Sequence, residues 1–445
     1  MKAKRPFRHA GPRAFVAALV LATLSQPGIA SAADAACGVT DTGIPAGVFA
    51  PIDIAHIRKS LADIGVGFGG TYYAETFGNK GGLREVSEYD GVLALNLNAD
   101  MNKMGLWEGL CFHTSGFQIH GNGITNENIS SLVPVSNIEA RSATRLFELW
   151  FEQHLFHGVL SVRLGQLAAD QEFILSSGAN FLLDSTWGWP SIAANNLPSG
   201  GPAYPLATPG VRVAIAPNDR LRLLIGVYNG DPANPDCTNS DPQVCNSNGL
   251  EFALDSPALL LAEGAYNYRQ SQDLAGTIKI GGWNYFGTFA GEQSVPDSAS
   301  GIWGIYGIVD QLLWQSSAID HPKSVGLFAR VAGAPSATNL VDLYAGTGLT
   351  FSGMVPRRPG DTIGLGVAYT RLSDQMQAFS SGPNAPTIRG YEAVLEICYT
   401  AQLNPGWIVR PDVQYFWQPG GGTRDGTAPA VENATVFGIR STLNF

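Results

Sequence analysis

From Val66 onward, apolar and polar side chains alternate with a period of two, in segments of about 10–15 residues separated by turn-forming stretches. In LFELWFEQH, Phe147, Leu149 and Phe151 fall on one face, and Glu148, Trp150, Glu152 and His154 on the other. Leu160, Val162 and Leu164 oppose Ser161 and Arg163; Val211, Val213 and Ile215 oppose Arg212; Leu221, Leu223 and Ile225 oppose Arg220 and Arg222. The pattern predicts strands over 66–77, 88–99, 110–120, 144–155, 159–167, 210–217, 220–229, 257–269, 276–289, 301–314, 323–333, 339–352, 361–372, 389–402, 406–417 and 431–445. That makes about sixteen, an even number, most of them as long as the roughly 9–11 residues a membrane-crossing strand needs.

The connections alternate in length. Those expected at one end are 78–87, 121–143, 168–209, 230–256, 290–300, 334–338, 373–388 and 418–430, whereas Leu155–Gly158, Pro217–Asp219 and Leu403–Pro405 are tight turns at the other. Long loops outside and short turns inside are the outer-membrane pattern. The fold class expected is therefore all-β, a transmembrane antiparallel β-barrel spanning 65–445. Residues 33–64 precede it and carry a short amphipathic helix over 53–64, with Asp53 as N-cap and Ile54, Ile57, Leu61 and Ile64 on one face. The last segment, ATVFGIRSTLNF, ends on an aromatic: Phe437, Ile439, Leu443 and Phe445 share a face.

One connection stands out. Residues 168–209 are far longer than the usual 4–6 or so, yet they include Phe173, Phe181, Trp187, Trp189 and Tyr204 with the acids Asp170, Glu172 and Asp184. A disordered linker is poor in such aromatics. The expectation is an ordered loop that folds inward and narrows a channel.

Composition supports export. Only 14% of residues are charged, against about 25% on average. Lys2, Lys4, Arg5, Arg8 and Arg13, an apolar run over Ala14–Leu24 and the sequence Ala30-Ser31-Ala32 read as a cleaved signal peptide over 1–32. Its removal takes Lys+Arg from 27 to 22 against 37 acids, about −15, which argues against nucleic acid as a partner. Cys237 and Cys245, close together in a Pro- and Asn-rich loop, are expected to pair in an oxidising compartment. Cys37, Cys111 and Cys398 are scattered and lack metal-ligand spacing, and no cofactor is expected.

The blocks FQIHGNGITNENISSLVPVSNIEA (117–140), TRLFELWFEQ (144–153), LSVRLGQLAADQEF (160–173), WGWPSIAANNLPSGGPAYPLATPGVRV (187–213) and VYNGDP (227–232) resemble the carbohydrate-selective porins of the OprB type. The similarity covers nearly all of the mature chain. It implies a sixteen-stranded barrel in the outer membrane of a Gram-negative bacterium, a diffusion path for monosaccharides such as glucose, a narrowed eyelet of charged and aromatic residues, and no enzymatic activity. In such barrels the C-terminal aromatic, here Phe445, serves as a signal to the barrel-assembly machinery. Lipid would surround the wall, and the protein would be a monomer or a trimer.

A sugar offers hydroxyls that need donors and acceptors together, and C–H faces that stack on aromatic rings. The candidate eyelet residues are therefore Glu148, Trp150, Glu152, Arg163, Arg212 and Arg222, with Gln118 and His120 from the third strand, Arg84 from the first outer loop, and Trp187 and Trp189 as stacking platforms. Two other function classes fit less well: a general or ion-selective porin without a sugar site, and a barrel enzyme or adhesin. The enzyme would need Ser and His on the lipid-facing wall, for which His113 and Ser115 are in register.

Overall fold

The computed structural model describes residues 37–39, 54–239, 241–270, 274–288, 300–317, 322–373, 390–422 and 431–445. The expected signal peptide 1–32, Asp53, the expected N-cap, and most of the expected connections 290–300, 373–388 and 418–430 lie outside the described residues. A helix, α1 (Ile54–Asp63), leads into the first strand. It is tied to the barrel through the Asp100 N–H, which donates to the Gly65 carbonyl at 2.7 Å, and through the Arg58 guanidinium, 4.8 Å over the Phe68 ring. Its expected apolar face is not sealed: Ile57 and Ile64 are exposed.

Among the described residues, sixteen strands follow: β1 (Val66–Gly81), β2 (Ser87–Asp100), β3 (Leu110–Gly121), β4 (Ala143–Leu155), β5 (Leu160–Leu167), β6 (Thr208–Asn218), β7 (Leu221–Asn229), β8 (Ala258–Arg269), β9 (Ala275–Thr288), β10 (Ser300–Gln315), β11 (Ser324–Gly333), β12 (Val341–Ser352), β13 (Thr362–Leu372), β14 (Tyr391–Asn404), β15 (Trp407–Trp417) and β16 (Ala434–Asn444). Each pairs antiparallel with its sequence neighbours, and β1 pairs with β16 to close the barrel. Closure leaves no open edge, the condition a sheet must meet in lipid. It extends to the last residue: Gly70 and Phe445 exchange both backbone hydrogen bonds, at 3.0 and 2.9 Å. No helix of the described residues is long and apolar enough to cross a membrane.

The period of two decides which side chains go where. Leu164, Val211, Ile225, Ile280, Val331, Val413 and Phe437 stand exposed on the outside. Residues of the opposite phase, Arg212, Glu263, Asp310, Glu396 and Arg440 among them, are buried inside. This inverts a soluble protein, and it is what a lipid-facing wall around a polar interior requires.

The parity breaks once with consequences. The register between β3 and β4 shifts between Thr114 and Gly116. A bulge adds one residue to one strand, so the alternation changes phase across it. Phe147, expected to face outward with Leu149, is buried inside against Phe117 and Tyr204, at ring separations of 4.8 and 6.2 Å. Glu148, Trp150 and Glu152 keep the inward phase below it.

The apolar core lies within the barrel, where two long connections dock on the inner wall. Phe173, Leu182, Leu183, Trp187 and Ile192 from residues 168–207 are almost completely enclosed against Phe328, Tyr344 and Phe416. Burying side chains of this size contributes about 1.5–3 kcal/mol each. Gly366 on β13 makes room: a Cβ there would stand 2.5 Å from Leu182 Cδ1 and 2.8 Å from Trp187 Cζ2. Where the chain leaves the wall after Leu167, the upper part of β4 has no β5 partner. The Leu146 N–H donates instead to the carbonyl of Asn248, at 2.9 Å. Asn248 lies in connection 230–257, which also holds a disulfide between Cys237 and Cys245, Cα atoms 5.7 Å apart. A second disulfide, Cys37–Cys111, ties the N-terminal segment to β3, and Cys398 is free and buried.

Candidate functional site

The connection 168–207 is clasped by wall carboxylates that accept its N–H groups. Glu148 on β4 accepts from Ala168 N (3.2 Å), and Glu263 on β8 from Ile174 N (3.0 Å). Asp310 on β10 accepts from Ser176 Oγ (2.7 Å) and Gly178 N (3.1 Å). Glu396 on β14 accepts from Leu183 N, Asp184 N (3.1 Å) and Trp187 Nε1 (2.6 Å). Cations take the carbonyls: Lys279 Nζ donates to Leu175 O at 2.8 Å, and Arg330 Nη2 to Thr186 O at 2.7 Å. Backbone groups buried in an irregular segment need such partners, and the inward positions of strands supply them. Connection 122–142 docks beside it: Arg440 on β16 donates to Ser136 Oγ (2.7 Å) and Asn137 Oδ1 (2.9 Å). The two segments join through Asn137 N to Leu183 O (2.8 Å) and Tyr204 OH to Ile138 O (2.8 Å).

Contacts of these segments thus run from β8 through β16, and Ile138, Tyr204 and Ala168 also reach β2, β3 and β4. On the opposite side, inward residues of β4 to β7 form a compact ionic cluster. Arg163 and Arg212 are direct cross-strand partners, an arrangement that like charges make costly unless acids intervene. Two do. Glu152 on β4 accepts from Arg163 Nη2 at 2.8 Å and Arg212 Nη2 at 2.9 Å. Glu172, from connection 168–207, pairs with Arg163 Nη1, with Arg212 Nε at 2.6 Å, and with Arg222 Nη2 on β7 at 4.0 Å. Ser161 Oγ accepts from Arg212 Nη1 at 2.7 Å. Arg212 is buried, whereas the Arg222 side chain is 42% exposed.

Trp150 lies between two partners: the Arg163 guanidinium is 3.7 Å from its ring centre, and the His113 ring is stacked at 4.7 Å. His113 continues the polar row, with Nδ1 2.7 Å from Asn98 Oδ1 and Nε2 3.8 Å from Glu148. Beside the cluster, the carboxyl of Asp170 is pushed up to about 6 by its enclosure, opposed by the hydrogen bond from Tyr204 N.

The structure therefore brings together Glu148, Trp150, Glu152, Arg163, Arg212 and Arg222. It does not bring in the others. Gln118 and His120 face outward, because Ile119 takes the inward phase at the top of β3. His120 stacks on Tyr72 at 6.0 Å and meets Tyr89 at 5.9 Å, both on the outer surface of the wall. Trp187 and Trp189 offer no open ring face. Both are buried, with their N–H groups bound to Glu396 and to Gly200 O (2.9 Å), so they hold the segment in place. Arg84 is spent on residues 122–142, donating to Asn128 Oδ1 at 3.0 Å. His113 points inward, which removes the lipid-facing Ser–His pair that a barrel enzyme would need.

Glu172, counted in the sequence only among the acids of the long connection, is the member that was missed. Its signal is its position: it follows the last inward residue of β5 closely enough to stay near Arg163.

The family description "Carbohydrate-selective porin, OprB family" matches residues 84–445. Porin B of Pseudomonas aeruginosa is 26% identical over 419 residues, covering 86% of this chain and 88% of that protein. The putative porin QuiX of Acinetobacter baylyi is 27% identical over 394 residues, covering 80% and 83%. The high-pH structure of Pseudomonas putida OprB superposes with a TM-score of 0.75 at 22% identity, covering 88% of this chain and 97% of that one.

Proposed function

Since the chain belongs to the carbohydrate-selective porins of the OprB family and so forms a sugar-selective channel in the Gram-negative outer membrane, we propose that its path for monosaccharides such as glucose runs between the ionic cluster on β4–β7 and the edge of the inward-folded segment 168–207. The observation that carries this reading is the lopsided interior. Segments 122–142 and 168–207 cover the wall from β8 to β16 and touch β3 and β4 through Tyr204 and Ala168, while Arg222, Arg163 and Trp150 keep partly open surfaces. The cluster provides what sugar hydroxyls require: guanidinium donors next to carboxylate acceptors. Arg212, Glu152 and Glu172 are the buried frame, and Arg222, with the edge of Arg163, the accessible rim. Trp150 serves by holding Arg163 flat, its own faces being taken. Exposed polar groups around a narrow point also keep affinity low enough for release.

The test is removal of residues 176–199. The shortened channel should conduct more per opening and lose its block by millimolar glucose together. Unchanged conductance and block would place the sugar path elsewhere.

A further inference from the structure

Building on the sugar path just described, we infer that Glu172 is the specificity-determining residue that makes the channel take uncharged sugars rather than anionic ones. Three guanidinium groups converge on this point from β5, β6 and β7, and Glu172 is the carboxylate that meets all three. Glu152 meets only Arg163 and Arg212. A cluster of arginines is a receptor for carboxylate and phosphate, because the planar fork matches two oxygens at once. Here the forks of Arg163 and Arg212 are already filled. Arg212 gives Nη1 to Ser161 and Nη2 to both Glu152 and Glu172, and its Nε lies against the second Glu172 oxygen. Arg163 gives Nε and Nη2 to Glu152 and Nη1 to Glu172.

An entering sugar acid finds an open fork only at Arg222, where the Glu172 carboxylate 4.0 Å away repels it, and to engage Arg163 or Arg212 it would have to displace Glu172. Its segment is pinned on both sides, by Ala168 N on Glu148 and by Ile174 N on Glu263. A neutral sugar needs no displacement: its hydroxyl oxygens can accept from the exposed Arg222 without bringing a charge next to Glu172. The ion-paired cluster of three arginines and two glutamates carries one excess positive charge. Loss of the Glu172 charge raises that to two and leaves a fork vacant where a substrate carboxylate would fit.

The experiment is planar-bilayer recording of wild type, Glu172→Gln, Arg222→Gln and the double variant, with block by glucose and by gluconate and the reversal potential in a salt gradient. Glu172→Gln should shift the reversal potential toward anions, tighten gluconate block by on the order of tenfold, and weaken glucose block. Arg222→Gln should shift selectivity the other way, and the double variant should return toward wild type. That compensation is a charge effect, which a merely loosened loop would not produce. If glucose blocks wild type but Glu172→Gln changes only conductance, or the double variant shows no compensation, the inference is overturned. If Glu172→Gln does not fold, Arg222→Gln still decides: no shift toward cations overturns it. Absence of glucose block in wild type would instead sink the sugar path itself.

Discussion

The Trp187 indole N–H donates to Glu396 at 2.6 Å, joining the middle of connection 168–207 to the far wall of the barrel across 209 residues of sequence. The same carboxylate accepts from Leu183 N and Asp184 N. Glu396→Ala would orphan three enclosed donors, and each unsatisfied group costs about 1–3 kcal/mol. The strand ladder does not depend on them, so the damage should be local. The barrel is expected to fold, with 168–207 cut faster by protease and openings larger and noisier. Trp187→Phe keeps the edge-to-face contact with Phe328, 5.6 Å between ring centres, and should fall between the two. Protease resistance equal to wild type in Glu396→Ala would show that other contacts hold the segment.

The strands were legible because lipid on one side and a polar interior on the other enforce a period of two. Each of the sixteen expected segments overlaps its strand, and even the middle ones, 276–352, fall on β9 to β12. The interior was less legible, for two physical reasons. First, polarity is not orientation. Gln118 and His120 were assigned to the pore because they are polar, but they belong to an outward aromatic cluster in which Tyr72 and Tyr89 hydroxyls lie 2.8 Å apart; near a membrane surface, amphipathic rings are at home. Second, a bulge such as the one beside Phe147 changes the phase without leaving a sequence mark. The partners of long connections are also beyond pattern reading. That Cys37 meets Cys111, or that Glu172 reaches Arg212, follows from how the closed barrel and the docked segment place residues far apart in sequence.

The register makes a sharp claim on β6. Val213, mid-strand, is flanked by Val162 and Ile225, and all three share the outer face. Arg on the lipid face near the bilayer centre costs about 2–4 kcal/mol, whereas a lumen position tolerates it. Val213→Arg should therefore lower the folded fraction in lipid much more than Asn96→Arg, whose site is exposed on the inner face of β2. Gel mobility with and without heating reads the folded fraction. Equal fractions would mean that β6 is in the wrong phase.

Connection 122–142 should loosen as pH rises. Glu139 accepts from Thr125 N at 3.0 Å and from Thr125 Oγ1 at 2.7 Å, and that same hydroxyl accepts from Val135 N at 2.9 Å. One carboxyl thus ties the start of the segment to its end. Its enclosure there pushes its pKa up to about 8; the Thr125 hydrogen bonds oppose the shift, and the nearby acids Asp90 and Glu75 add to it. The ordinary value is 4.5. Between 4.5 and about 8 the docked segment holds more protons than the released one, so its stability falls with rising pH. The contribution is complete below 4.5, declines as pH rises through the interval, and is flat above about 8. Cleavage mapped to 122–142 should therefore be faster at the alkaline end of this window than at the acid end. Glu139→Gln, which cannot ionise, should remove most of that slope. Asp170 sits in the other segment, with its own value raised to about 6, so mapping the cut sites separates the two. A wild-type cleavage rate in 122–142 that is the same at both ends of the window would mean that Glu139 does not control this contact.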